Sequence, residues 1–280
     1  MSEPVRLWDS PEAAAAWQRG ASLRAAWMQV PTELMLDWAE LQPGDRVLDV
    51  AAGSGEQSLA AAHRVGPTGS VLATDISAAM LDVAAHEARA AGVETLATLV
   101  GNAEELELPP LSFDAAISRN GLMFMPNLAR ALGVIHAALK PGKRLAAIVW
   151  STRERNPYTT VPQDVLLRLR PDLLERSGLA RAFALAAPGA FEAALAAAGF
   201  EAIQVQRVPI ERRFPSAAAL VQALRTTFSP VASMVQSLDA DTQQRVWAEV
   251  ERDFRPYDGP AGCVVPGETL VGAGQRPLTA

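Results

Sequence analysis

The stretch that decides the fold is Val47-Leu48-Asp49-Val50-Ala51-Ala52-Gly53-Ser54-Gly55-Glu56-Gln57-Ser58-Leu59. A β-branched and apolar run ends in a Gly-x-Gly turn, after which Ala60, Ala61 and Ala62 continue a helix-compatible pattern. Strand, tight turn and helix in this order predict an open α/β sheet that binds its ligand outside the carboxyl end of a strand. Gly53 and Gly55 lack side chains, so a ligand can lie against their backbone, and the next helix turns free N–H groups toward an anion. The dinucleotide fingerprint fits poorly, because Glu56-Gln57-Ser58 follows the turn. A P-loop does not fit, because no Gly-Lys-Ser/Thr follows.

The same residues resemble the first motif of class I S-adenosylmethionine-dependent methyltransferases, an acidic residue followed by x-G-x-G-x-G. Asp49 takes the acidic position, Gly53 and Gly55 take the last two glycine positions, and Ala51 replaces the first glycine. The resemblance implies that Asp49, Ala51, Gly53 and Gly55 border the cofactor. Alanine at the first position implies that no glycine-only dihedral is needed there, so that the loop path shifts slightly and Gly53 and Gly55 provide the close approach.

Working outward, Gly66-Pro67-Thr68-Gly69 is a turn, and a strand over Ser70 to Thr74 ends at Asp75. An acidic residue there, about 20 residues past the glycine turn, is placed to accept hydrogen bonds from a ribose diol. Ser77 is the better cap for the helix running to Ala91, which leaves Asp75 to bind. In family terms Ile76 packs on the adenine and Met80 is a further contact. After a strand over Thr95 to Val100, Asn102-Ala103 resembles the adenine-recognising motif. Asn102 stands where Asp is frequent, and its amide oxygen still accepts from an exocyclic amine. Glu104 and Glu105 read as a solvated edge. A fourth strand, Leu111 to Ser118, carries Asp114 as a structural residue and delivers Arg119-Asn120-Gly121-Leu122-Met123-Phe124 to the ligand face. By resemblance Arg119, Asn120 and Leu122 line the methionine end of the cofactor, and Met123 and Phe124 stand between pocket wall and core.

Leu128, Leu132, Ile135 and Leu139 form a helical stripe with His136 as a scaffold residue. Lys140-Pro141-Gly142-Lys143 then turns into a strand over Arg144 to Trp150. Residues 1–42 read as a helical extension or lid, with Pro31 starting a separate helix over Thr32 to Leu41 and with Trp8, Trp17, Trp27 and Trp38 spread along it. Residues 43–280 read as one methyltransferase domain with helical insertions at about 157–187 and 215–256. These include a helix over Val165 to Leu174 and stripes at Leu220, Leu224 and Phe228 and at Gln243, Trp247, Val250 and Phe254. Phe200 to Pro209 reads as strand six. Gly262 to Val265 and Thr269 to Ala273 make a seventh strand or a terminal hairpin. The expected architecture is a Rossmann-like, seven-stranded, mostly parallel sheet with helices on both faces. Trp27, Met123, Phe124 and Tyr158 are candidates for a substrate pocket.

The chain has 280 residues, a formal charge of −6, one cysteine and three histidines at dispersed positions. No disulfide, no metal site and no nucleic-acid footprint are expected from this, and no segment is long and apolar enough to span a bilayer. The resulting expectation is a cytoplasmic monomer or homodimer acting on a small, partly apolar or aromatic metabolite with S-adenosylmethionine as cofactor. No His–carboxylate pair identifies a general base, so the catalytic residues stay unassigned, and catalysis by placement suffices for an activated methyl donor. The alternatives are an NAD(P)-dependent oxidoreductase and a cofactor-binding scaffold without transfer activity.

Overall fold

Parallel pairing of the glycine-turn strand β1 (Arg46–Val50) with β2 (Ser70–Asp75) on one side and β4 (Phe113–Arg119) on the other sets the centre of a single sheet. The computed structural model describes residues 10–173, 179–227 and 230–278. Trp8, Leu174 and Phe228, named above, lie outside them. β3 (Leu96–Val100), β5 (Leu139–Trp150), β6 (Glu201–Phe214) and β8 (Gly262–Gln275) complete the order β3-β2-β1-β4-β5-β8-β6, with β8 antiparallel to both of its neighbours. A two-residue strand, β7 (Asp258–Gly259), pairs with the start of β8, so the sheet has eight strands where seven are expected.

Side chains alternate across the sheet, as the two-residue period requires. Val47, Val71, Ala115, Ile117, Ala146 and Ile148 face α2 (Ala21–Trp38) and α3 (Glu56–Val65) in one core. Leu48, Val50, Ala116, Leu145, Ala147 and Val149 face α5 (Leu128–Ala138) and α7 (Ala190–Ala197) in the other. α1 (Pro11–Arg19) precedes α2, and α4 (Ala78–Ala90) packs beside β2 and β3. A third core forms where α6 (Pro157–Leu169), α8 (Ala217–Thr226), α9 (Pro230–Gln236) and α10 (Ala240–Phe254) gather over the far ends of β6 and β8. Among the described residues no helix is long and apolar enough to cross a membrane, and no group of three metal-ligating side chains converges.

Several boundaries differ from the sequence expectation, each for a packing reason. Pro31 lies buried inside the continuous helix α2 and starts no new one, because tertiary burial of Met28, Met35 and Leu36 outweighs the one backbone hydrogen bond a proline removes. The helix expected from Val165 begins at Pro157, and its interior carries Pro162. β5 takes in Lys140-Pro141-Gly142-Lys143, with the turn conformation confined to Gly142 at φ 75°. β6 runs five residues beyond Pro209, because Ile210, Arg212 and Phe214 continue the inward alternation and pair with β8 down to Cys263.

The end of β8 also secures α5. Arg276 donates from one Nη to the carbonyls of His136, Ala137 (3.0 Å) and Leu139 (2.8 Å), placing a cation at a helix C-terminus, where the last carbonyls have no intrahelical donor and where Leu111 N–H also donates to Ala137. Arg276→Ala is expected to lower unfolding free energy in urea by about 1.5 kcal/mol, a charged-donor hydrogen bond's worth, and Arg276→Lys by less than that.

Candidate functional site

At the carboxyl end of β1 the loop is built from below. Asp49 is fully buried and accepts hydrogen bonds from Ser58 Oγ and from Gln57 Nε2 (3.3 Å), while Gln57 also donates to the Ala52 carbonyl at 3.0 Å. Its carboxylate thus joins the strand to the first turn of α3 beneath the loop and does not line an open surface. Burial pushes the Asp49 carboxyl up to about 7, against the opposing pull of the Ser58 and Gln57 hydrogen bonds.

Ala51 leaves the strand at φ 58°, in the left-handed region. The expectation that this position needs no glycine-type dihedral is therefore wrong: the dihedral is there, and alanine carries its strain. The methyl group has a second consequence. A Cβ placed on Gly121, just past β4, would lie 2.5 Å from the Ala51 Cβ, so the alanine on one loop demands a glycine on the other. Gly55 is held at φ 80° as the N-terminal cap of α3, and its Cβ would lie 2.7 Å from the Cβ of Ala84. Its constraint is close packing of α4 against the loop, whereas a Cβ on Gly53 would meet only Trp17 Nε1, at 3.8 Å.

Asp75, at the end of β2, accepts from Gly53 N–H and from Ser77 N–H, both at 2.9 Å. Ser77 caps α4 by accepting from Met80 N–H, as expected, and the Met80 side chain is buried. Ile76 is half-buried beside Asp75. Asn102 Oδ1 accepts from Glu104 N–H at 3.1 Å, which occupies one of its two lone pairs and fixes its orientation next to half-buried Ala103. Asn120, at φ 57°, holds a buried Oδ1 that has no hydrogen-bond partner, and the Ser118 hydroxyl beneath it has none either. Leu122 and Met123 pack into the core shared by β5 and α5, with Phe124 at its margin. The structure thus brings Ala51, Gly53, Asp75 and Asn120 to one sheet edge, and it puts Leu122 and Met123 underneath.

Fit to a nucleoside with an amino-acid tail can be judged from these atoms. The Asp75 carboxylate is oriented by the Gly53 and Ser77 backbone donors, and the orphan Asn120 Oδ1 is an acceptor in search of a donor. The residues present fit S-adenosylmethionine.

Above this edge sits an ion-pair network that the sequence reading missed. Glu56, first residue of α3, bridges Arg24 of α2 and Arg119 at the end of β4, and Arg119 also reaches Thr32 Oγ1 at 3.3 Å. Burial raises a carboxyl, but here Arg119 and Arg24 outweigh it and hold Glu56 below the usual carboxylate range. The guanidinium carbon of Arg24 lies 3.7 Å from the Trp17 ring centroid, and Gln18 donates to Glu87 of α4 at 3.0 Å. The extension is thereby fastened over the glycine loop. Arg119, expected to line the cofactor, is used here as a strut.

A second constellation gathers Trp27 and Tyr158 from distant segments. Their ring centroids are 5.3 Å apart, and Phe214 lies 5.6 Å from Trp27. Inside this cluster lies Arg212, its guanidinium carbon 4.6 Å from the Tyr158 centroid and 5.3 Å from those of Trp27 and Trp150. Met123 and Phe124 belong to the core of the opposite sheet face, apart from Trp27 and Tyr158. Arg212 also escaped the sequence reading, although a charged residue on the apolar alternation Val208, Ile210, Arg212, Phe214 is a signal that would have found it.

Fold and loop together define a protein of the Rossmann-like class with a nucleoside-binding edge. A family profile described as a methyltransferase domain matches residues 41–166. The chain is 30% identical over 157 residues to 2-phytyl-1,4-naphtoquinone methyltransferase of Nostoc sp., covering 56% of this chain and 69% of the relative. To nocamycin O-methyltransferase of Saccharothrix syringae it is 27% identical over 252 residues, 85% of this chain and 88% of the other. Phosphoethanolamine N-methyltransferase 2 of Haemonchus contortus, solved with S-adenosyl-L-methionine, superposes with a TM-score of 0.60 at 16% identity, over 96% of this chain and 57% of that one. The chain belongs to the S-adenosylmethionine-dependent methyltransferases.

Two outcomes test this geometry. Gly121→Ala is expected to destabilise by about 1–3 kcal/mol through overpacking. Ala51→Gly, which removes the facing methyl and the left-handed strain, restores most of that in the double variant, a non-additivity read from urea melts. For Asp49 the folded value of about 7 lies above the unfolded carboxylate. Its protonated form is therefore favoured on folding, and this contribution fades as pH rises from about 4 through about 7. Asp49→Asn keeps the acceptor without the charge, so its stability relative to the parent chain should rise between about pH 5 and pH 7.5.

Proposed function

We propose that the chain transfers the methyl group of S-adenosylmethionine to an oxygen, nitrogen or carbon nucleophile of a small metabolite with an apolar or aromatic body. What carries the reading is Asp75, oriented by the N–H groups of Gly53 and Ser77 at the edge where the glycine turn and Asn120 meet. In this reading Asp75 accepts from the ribose hydroxyls, Ile76 covers the adenine, and Asn102 with the Ala103 N–H addresses the adenine edge. Asn120 takes the amino-acid end of the cofactor. Asp49, Gly55 and Glu56 keep the loop in shape from below and beside it, through the contacts described above.

The cofactor, when bound, supplies an electrophilic methyl on sulfonium. The protein's part is to align donor and acceptor and to exclude water. Residues 10–42 serve as the lid: Trp17 lies against the glycine loop, and Arg24 fastens the lid through Glu56. Trp27 and Tyr158 form the wall of the acceptor pocket. The same contacts of residues 10–42 support the domain assignment, 1–42 as lid and 43–280 as transferase. A net charge of −6 opposes a nucleic-acid acceptor, and the reading takes the chain as a cytoplasmic monomer or homodimer acting on a small molecule.

Calorimetry tests the reading. S-adenosylmethionine is expected to bind and raise the melting temperature, NAD and NADP to do neither, and Asp75→Ala to weaken S-adenosylmethionine by about tenfold or more, the loss of charge-assisted hydrogen bonds. Methyl-labelled cofactor with a metabolite extract should label a small product. Stabilisation by NAD without S-adenosylmethionine binding would overturn it.

A further inference from the structure

Arg212 is only 2% exposed, and neither its Nε nor its Nη1 has a hydrogen-bond partner. No carboxylate among the described residues pairs with it. Its surroundings are instead the rings of Trp27, Trp150 and Tyr158, and the bare backbone of Gly267, where a Cβ would lie 2.5 Å from Nη1. The next cations do not lack a partner in the same way: Arg24 and Arg119 share Glu56. Aromatic faces attract a guanidinium, the more so when it is desolvated, but they satisfy none of its N–H groups, and a buried charge without such bonds is costly. The planar fork of an arginine is matched by a carboxylate.

We propose that Arg212 is the specificity residue for the methyl acceptor, and that the acceptor is a small aromatic or apolar acid whose carboxylate docks on Arg212 with its ring among Trp27, Trp150 and Tyr158. The inference deepens the methyl-transfer reading and rests on it. Entry follows from the connectivity. Trp27 covers Arg212 and Trp17 covers the glycine loop, and both belong to the N-terminal extension, so one displacement of that extension uncovers the cofactor edge and the guanidinium together. The acid is recognised as its anion, so no proton transfer is needed for binding.

The test uses the full chain saturated with S-adenosylhomocysteine. Benzoate, 2-naphthoate and indole-3-acetate are each titrated against the corresponding amide, followed by tryptophan fluorescence and by melting temperature. Each acid is expected to bind about tenfold or more tightly than its amide, the scale of one hydrogen-bonded charge. Arg212→Gln should reduce that ratio to below about twofold while leaving S-adenosylhomocysteine affinity unchanged, and Arg212→Lys should give an intermediate ratio. Equal binding of acids and amides by the unmodified chain overturns the proposal even where Arg212→Gln fails to fold. A ratio that survives in Arg212→Gln, or inorganic phosphate binding more tightly than every acid, overturns it too. The S-adenosylhomocysteine titration reports separately on the methyl-transfer reading, so failure of that reading and failure of the Arg212 assignment are distinguishable.

Discussion

Everything at the ligand edge depends on how the chain turns out of β1, and a buried carboxylate governs that turn. Asp49 ties the strand to Ser58 and Gln57 from inside the sheet. In that fixed path Ala51 must take up a left-handed conformation and Gly55 must pass within van der Waals reach of Ala84. Burying an acid is expensive, which is why its carboxyl is pushed up to about 7. The hydrogen bonds it accepts convert that cost into a defined loop, on which the placement of Gly53 N–H against Asp75 then rests.

A second carboxylate does for the covering layer what Asp49 does for the loop. Glu56 stands at a helix N-terminus, where negative charge is favoured, and it draws together one arginine from the extension and one from the end of β4. An ion pair of this kind, largely shielded from water, is sensitive to the loss of either partner and so couples the position of the N-terminal extension to the shape of the glycine turn. Cover and cofactor edge are therefore one electrostatic unit, and the proposed lid motion has to break or carry Glu56's contacts.

Arg212 stands outside this balance. It occupies the face of β6 that otherwise buries Val208 and Ile210, and three rings surround it while neither its Nε nor its Nη1 has a hydrogen-bond partner. The N-terminal extension and the first helical insertion account for this arrangement: Trp27 comes from α2 and Tyr158 from α6, and both reach the long β6–β8 ladder only because that ladder extends well past the parallel part of the sheet. The proposed acceptor side thus joins Trp150 and Tyr158, inside the matched methyltransferase span 41–166, to Trp27 and Arg212, outside it.

The chain order of strands and helices, the glycine turn, the position of Asp75 and the delivery of Asn120 to the ligand face were legible in the sequence. They follow from short-range rules, in which alternation marks a strand, small residues mark a turn, and a residue closing a parallel strand lies at the ligand edge. Continuity of α2 through Pro31, extension of β6 to Phe214 and the left-handed Ala51 were not legible, because long-range packing decides each against a local preference. The same holds for the site. The sequence by itself determined a cofactor edge of the methyltransferase type. Only the tertiary structure decided that Glu56 joins Arg24 to Arg119 and that Trp27, Trp150 and Tyr158 enclose Arg212, since those partners are far apart along the chain and only the folded sheet brings them together.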